Sequence, residues 1–394
     1  MLPYARPSIT DAEVAEVEAC LRSGWLATGP RTARFEAALG EQVGGLSVLG
    51  TCSGTAALHL ALAALGIGPG DEVITSPMTW VSTANVILHV GATPVFADIE
   101  ARTLNLDPAA VRAAVGARTR CILPVHFGGA PCDMDALCGL AREHEVLLVE
   151  DAAHALGAAY AGRPIGSIGD ATMFSFHPAK NLTTGEGGAL AVRDPAVAAR
   201  AARLRYHGIA QDPGARSSGR GPASYDVVEA GFKYAMSDLQ AALGLVQLTR
   251  LEEMNRRRAE RAALYLDRLA DVAGVAPLAL PDARHRHAWH LMVVRVEIER
   301  LRIERDELVG RLREAGIGAG VHFVPLHLQS LYRPFVPAAS ALPVATDAHR
   351  RILTLPLFPD MESTDVERVV EILNRILRET ERGTAVRAAA SVEA

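Results

Sequence analysis

Seven short apolar runs punctuate the first half of the chain: Leu46 to Leu49, Glu72 to Thr75, Pro94 to Asp98, Arg120 to Val125, Val146 to Glu150, Thr172 to Phe176 and Ala189 to Val192. Each has strand length. Segments of helical period, Thr55 to Leu65, Pro108 to Val115 and Met134 to Glu143, lie between several of them. Continuous apolar strands separated by helices predict an α/β fold built on a mostly parallel, seven-stranded sheet covered on both faces. Such sheets bind ligands at the carboxyl ends of their strands, where Asp151, Ser175 and the turn before Thr55 fall.

A long helical stretch from Met236 to about Leu269 leads out of this region. Beyond it, His290 to Glu297 reads as a strand, Glu304 to Ala315 as a helix, Gly320 to Phe323 as a strand and Asp365 to Glu379 as a last helix, the profile of a smaller α+β domain. The predicted division is a large domain over 1–245, a small C-terminal domain over 246–382 and a disordered tail over 383–394. Gln211 to Ser224, rich in glycine, proline and serine, is predicted to be a mobile loop of the large domain.

Composition narrows the class. The chain has 394 residues and a net charge of -5, with no basic run longer than Arg256-Arg257-Arg258, so it carries no electrostatic footprint for nucleic acid. No apolar stretch approaches the roughly 18 to 20 residues of a membrane span. The first residues lack a basic segment followed by an apolar run, and the five cysteines are too few and scattered for a disulfide framework; the expected location is cytoplasmic. Cys132, Cys138 and His126 match no zinc spacing, and no metal is expected; buried thiols are.

Charge usage points to the chemistry. Of 40 cationic side chains only two are lysines, Lys180 and Lys233. Arginine serves wherever charge alone is wanted, whereas a lysine amine can lose its proton and form a Schiff base with a carbonyl. Lys180 lies on a loop of glycines and hydroxyls, Phe174 to Gly188, just past an apolar strand. Three further constellations precede it. Thr51 to Leu58 is a small-residue turn between strand and helix, whose free backbone N–H groups suit a phosphate. Trp80 offers a flat indole for stacking on a heteroaromatic ring, or a core side chain. Asp151, at a strand end, can hold a pyridine nitrogen protonated, or cap a helix.

Taken together, the stretches Ser23 to Pro30, Glu150 to Ala155, Phe174 to Gly188 and Gly231 to Tyr234 resemble the pyridoxal-phosphate enzymes of aspartate-aminotransferase fold, and among them the DegT/DnrJ/EryC1/StrS sugar aminotransferases. The resemblance runs from about Tyr4 to Met361. The stretches His287 to Leu291 and Leu355 to Met361 are most similar to transaminases that make 4-amino sugars on UDP, as in the 4-amino-4-deoxy-L-arabinose and pseudaminic acid pathways.

The resemblance implies a type I fold, pyridoxal 5'-phosphate alternating with pyridoxamine 5'-phosphate, and amino transfer from L-glutamate to carbon 4 of a nucleotide keto sugar, releasing 2-oxoglutarate. It implies Lys180 as the Schiff-base lysine, Asp151 on the ring nitrogen, Trp80 stacked on the ring, and Gly54, Thr55 and Ser175 on the phosphate. His154 stands where many relatives carry glutamine and would cover the ring. Lys233 stands in the segment where relatives reach a neighbouring subunit's phosphate through asparagine. That makes a homodimer with shared sites the expectation. Arg216 and Arg220, suited to a diphosphate, complete the candidate substrate set with His322 and His327.

Other readings are a 3-keto sugar or keto-inositol as acceptor, a sugar dehydratase of the same family, or a non-catalytic sensor. The dehydratase replaces the Schiff-base lysine with histidine, against Lys180 here. The sensor would need an attached DNA-binding module, and the pattern already begins near Tyr4.

Overall fold

A computed structural model describes residues 1–210, 224–336 and 342–382. The main sheet contains β1 (Ser47–Thr51), β2 (Glu72–Thr75), β3 (Thr93–Phe96), β4 (Thr119–Leu123), β5 (Leu147–Asp151), β8 (Ala171–Ser175) and β9 (Gly188–Val192), in the order β1-β9-β8-β5-β4-β2-β3. Only β9 runs antiparallel to its neighbours. A small hairpin, β6 (Ala159–Tyr160) and β7 (Arg163–Pro164), lies between β5 and β8 in the chain. The seven predicted runs are the seven strands of this sheet, displaced by a residue or two at their ends.

Strand alternation explains the continuous apolar runs. Ile74, Ile122, Leu148 and Phe174 enter a core on one face with Phe35, Leu39 and Leu137. Their neighbours Val73, Leu123, Val149 and Met173 enter a second core on the other face with Leu58 and Leu62. The covering helices are α1 (Asp11–Ser23), α2 (Pro30–Gln42), α3 (Gly54–Ala64), α4 (Ser82–His89), α5 (Pro108–Ala114), α6 (Met134–Glu143) and α7 (Pro195–Arg205).

Helix α8 (Asp238–Leu269) begins in the first core at Ala241 and Leu248 and ends in a further one at Tyr265 and Leu269. That core is closed by β10 (Val275–Pro277), β11 (Met292–Val296), α9 (Arg305–Glu314), β12 (Ile352–Leu355) and α11 (Ser363–Thr380), while α10 (Pro343–Arg351) packs through Ala345 and Ala348 into another core with Phe96 and Leu326. The three strands pair antiparallel in the order β10-β11-β12. The strand expected at Gly320 to Phe323 is instead a single bridge from Gly320 to Thr354. The strand on that edge is β12, short and entirely buried, which follows α10 with no intervening loop residue. The predicted loop, all but Ser224, and the predicted tail lie outside the described residues. Among the described residues no helix is long and apolar enough to cross a membrane.

Two buried carboxylates fix α8 to the first helices. Asp238 receives the backbone N–H groups of Arg31 and Thr32 at 3.0 and 2.9 Å and the Thr32 hydroxyl at 2.8 Å, so the start of α8 caps the start of α2. Glu13 of α1 accepts from the Thr10 N–H at 2.8 Å, from Gln247 at 2.7 Å and from Arg250. Burial would raise the Glu13 carboxyl, but these hydrogen bonds outweigh it and hold it at about 2, against an ordinary 4.5. A depressed carboxylate stabilises the fold above its unfolded value and loses that contribution as pH falls toward its folded one. Glu13→Gln should therefore destabilise the protein by about 3 kcal/mol at pH 7, with a gap to wild type that is constant down to about pH 5 and shrinks below 4.5. Unfolding midpoints across that range measure it, and a gap unchanged at pH 3 would remove the charge from the account.

Candidate active site

The strand ends make the site. A cavity of about 410 Å³ opens where β1, β5 and β8 finish, a volume ordinary for a small-molecule pocket. Lys180 lies in its wall, five residues beyond Ser175, on a turn closed by the Lys180 N–H donating to the His177 carbonyl at 2.8 Å. Burial pushes the amine down to about 8 from an ordinary 10.5, and the Asp151 carboxylate opposes that shift. A substantial neutral fraction at working pH gives this lysine the nucleophilicity its arginine-rich background lacks.

Asp151 ends β5 and is itself buried. Its Oδ2 accepts from the Thr83 hydroxyl at 2.8 Å and its Oδ1 from the Ala153 N–H at 3.1 Å. Thr83 is held in turn by Thr79 at 2.8 Å. Burial raises the carboxyl, while these bonds and the Lys180 charge oppose the rise. Alternation sends the preceding Glu150 to the other face of the sheet. There it meets His126 Nε2 at 2.9 Å, the Gly169 N–H at 2.7 Å and the Thr172 hydroxyl at 2.8 Å. His126 and Cys132, weighed above as metal ligands, are spent on protein contacts: the Cys132 N–H donates to His126 Nδ1 at 3.1 Å and its thiol to the Val125 carbonyl.

The turn after β1 is an anion cradle. Ser53 caps α3 by accepting from the Ala56 N–H at 3.1 Å, and among the described residues the N–H groups of Gly54 and Thr55 have no partner. A Cβ on Gly54 would come within 2.9 Å of the Ser175 Cβ and 3.1 Å of the Met173 sulfur. Glycine there lets the helix start lie directly against the end of β8, with the Ser175 side chain beside the open amides.

Trp80, 61% exposed, stands at the cavity mouth, so its indole is not a core side chain. Its ring lies 6.2 Å from that of Phe323. His154, His290 and His322 line the cavity with Phe323. Burial, seconded by Lys180, brings His322 down to about 4, and burial holds His154 and His290 well below the usual imidazole range, with no carboxylate among their partners.

The structure thus brings Lys180, Asp151, Gly54, Thr55, Ser175, Trp80, His154 and His322 to one cavity. His327 is elsewhere, its Nε2 bonded to Thr346 at 2.9 Å. Lys233 is on the surface, its amine 4.0 Å from the centre of the Tyr206 ring, outside the cavity lining. Arg216 and Arg220 lie outside the described residues. Sequence reasoning missed Tyr4, Thr83, Glu186 and His290 as site residues. Thr83 had a signal, since Thr79 and Thr83 are one helical turn apart behind Trp80.

Residues 7–374 match the family model of the DegT/DnrJ/EryC1/StrS aminotransferase family. The fold is similar to Spr1654 from Streptococcus pneumoniae, assigned by name to the sugar aminotransferases and solved in its PMP form: 35% identity, TM-score 0.90, covering 96% of this chain and 100% of that one. The aminotransferase TlmJ from Streptoalloteichus hindustanus is similar at 36% identity and TM-score 0.89, covering 96% and 99%. PseC of Helicobacter pylori, an aminotransferase of pseudaminic acid biosynthesis, aligns at 27% identity and TM-score 0.89 over 96% and 99%. With the family model spanning nearly the whole chain and two relatives above a third identical, the chain belongs to the DegT/DnrJ/EryC1/StrS aminotransferase family.

Proposed function

We propose that this protein is a cytoplasmic, pyridoxal-phosphate-dependent aminotransferase that takes the amino group of L-glutamate and delivers it to carbon 4 of a nucleotide-linked 4-keto sugar. The observation that carries the reading is the pairing of a buried lysine brought down to about 8 with a buried aspartate in one cavity beside an open helix start. The residues fit the cofactor. The Gly54 and Thr55 amides and the Ser175 hydroxyl would hold its phosphate, Asp151 its ring nitrogen, Trp80 and His154 its ring faces, and Lys180 its aldehyde carbon. When bound, it supplies an electron sink for a carbanion and a carbonyl that accepts the amine.

The chain's own groups do the rest. With the cofactor bound, the free Lys180 amine would carry at Nζ the proton that leaves the donor's α carbon, a task suited to an amine near 8. The second half runs the same transfer backwards with the keto sugar as acceptor. Gly54, Thr55, Ser175 and Asp151 would have to hold the cofactor whenever Lys180 is free of it. His154, His290 and Phe323 line the cavity together. Ping-pong kinetics follow.

The choice of carbon 4 rests on the likeness of the stretches His287 to Leu291 and Leu355 to Met361, together with the similarity to PseC. Enzyme loaded with pyridoxamine phosphate and offered UDP- and dTDP-linked 4-keto and 3-keto sugars should return to the aldehyde form with a 4-keto sugar; exclusive conversion by 3-keto sugars would overturn the regiochemistry. Lys180→Arg keeps the charge but cannot form a Schiff base. It should lower turnover by about a hundredfold or more and abolish the glutamate-sensitive visible absorption of the cofactor. Near-normal transamination by this variant would sink the lysine assignment.

The site of the proposed homodimer is shared. Lys233 points away from its own cavity, onto Tyr206, while Trp80 and Leu26 leave apolar surface exposed, 61% and 41%. A twofold partner would bring its Lys233 to this subunit's phosphate cradle. Lys180→Ala and Lys233→Ala dimers are then each inactive, and co-refolding them makes about half the dimers mixed, each with one intact site of two. About a quarter of wild-type activity should return. Proven subunit exchange with no recovery, or an active Lys233→Ala dimer, would place both lysines' roles within one subunit.

A further inference from the structure

Two of the cavity's histidines are locked in opposite tautomers. Asn181, the residue after Lys180, is buried and gives its amide hydrogens to the Ala288 carbonyl and to Asn255 Oδ1, both at 2.7 Å. A carbonyl only accepts, so the Asn181 nitrogen must face Ala288 and its oxygen must face His290. His290 Nδ1 lies 3.1 Å from that oxygen and therefore carries the ring's hydrogen. Burial and the neighbouring Lys180 and Arg258 keep His290 neutral, which leaves Nε2 with a lone pair and no hydrogen.

His154 is the reverse case. The Gly128 N–H donates to its Nδ1 at 3.3 Å, so the hydrogen of this neutral ring sits on Nε2. The two rings are 4.3 Å apart at 32°. Among the described residues neither Nε2 has a protein partner, and neither is among the unpaired polar atoms sealed from solvent, although both residues are 5% exposed. The accessible edge that each shows is in the cavity both line. One wall thus presents a fixed donor beside a fixed acceptor.

We propose that His290 is a substrate-recognition residue whose Nε2 accepts a hydrogen bond from a hydroxyl of the keto sugar, with Asn181 holding the accepting tautomer. This rests on the sugar-aminotransferase reading above. Of the two substrates, the amino donor offers, apart from the amine that is transferred, only carboxylates, which need donors and are repelled by a lone pair. A sugar offers O–H groups, which a lone pair suits. A site built to accept from a hydroxyl discriminates against an analogue lacking it, because the buried acceptor is then left unpaired.

The test separates the half-reactions by following the cofactor's absorption in single turnovers. His290→Asn places an amide N–H near the old Nδ1, so the bond to Asn181 is kept while the cavity acceptor is removed. The keto-sugar half-reaction should fall about tenfold further in kcat/KM than the glutamate half-reaction. On wild-type enzyme, one member of a set of monodeoxy keto sugars should react about tenfold more slowly than its parent, and His290→Asn should erase that difference. An equal loss in both halves, or no loss, overturns the proposal. The wild-type measurement decides alone if the variant does not fold: no discrimination among the deoxy sugars overturns it too. A wild-type enzyme that converts glutamate but no keto sugar defeats the functional reading itself, a result distinct from equal conversion of all the sugars.

Discussion

The site depends on placing one cation and one carboxylate together out of water. A lone buried charge is too costly to keep, and a buried pair survives only with further hydrogen bonds. Lys180 and Asp151 each temper the other's shift: the carboxylate limits the fall of the amine, and the amine limits the rise of the carboxyl. The amine settles near 8 because burial still wins. The hydroxyls of Thr79 and Thr83 and the Ala153 amide exist around Asp151 for the same reason, to occupy lone pairs that water cannot reach.

Sheet topology delivers these groups without further design. Parallel strands bring their carboxyl ends to one edge, so Thr51, Asp151 and Ser175, far apart in sequence, terminate together. The close approach at Gly54 then sets α3 against β8, and the amides that every helix start leaves unpaired face the lysine's cavity. Behind the sheet edge, Glu150 is satisfied by His126, Gly169 and Thr172, so the residue adjacent to Asp151 contributes rigidity on the opposite face.

Legibility followed sequence distance and burial. The seven strands were readable because both faces of the sheet are buried, which turns strands into unbroken apolar runs. Lys180 stood out through charge usage and Asp151 through its strand end, and the structure brings both to one cavity. Trp80 was ambiguous between core and platform, and its exposure removes the core reading. Gly320 to Phe323 has a strand's composition but keeps only one bridge, because β12 takes the pairing on that edge. His322 and His327 looked equivalent in sequence; His327 sits within the 3-10 turn Leu326–Leu328, outside the cavity lining, and bonds to Thr346. Thr83 and His290 were hidden because their meaning depends on partners 68 and 109 residues away.

Neutral imidazoles resolve a conflict that this chemistry creates. A sugar is recognised by directed hydrogen bonds, yet every extra cation near Lys180 would favour its free amine and loosen its balance with Asp151. Histidines stripped of charge by burial provide direction without adding to the field. His322 is brought to about 4 and the other two lie well below their ordinary range, so the charged side chains lining the cavity beside them are Lys180, Asp151 and Glu186. The tautomer each ring adopts is then chosen by a backbone amide or an asparagine behind it. Specificity can in this way be tuned from the second layer of side chains while the proton-transfer machinery stays unchanged.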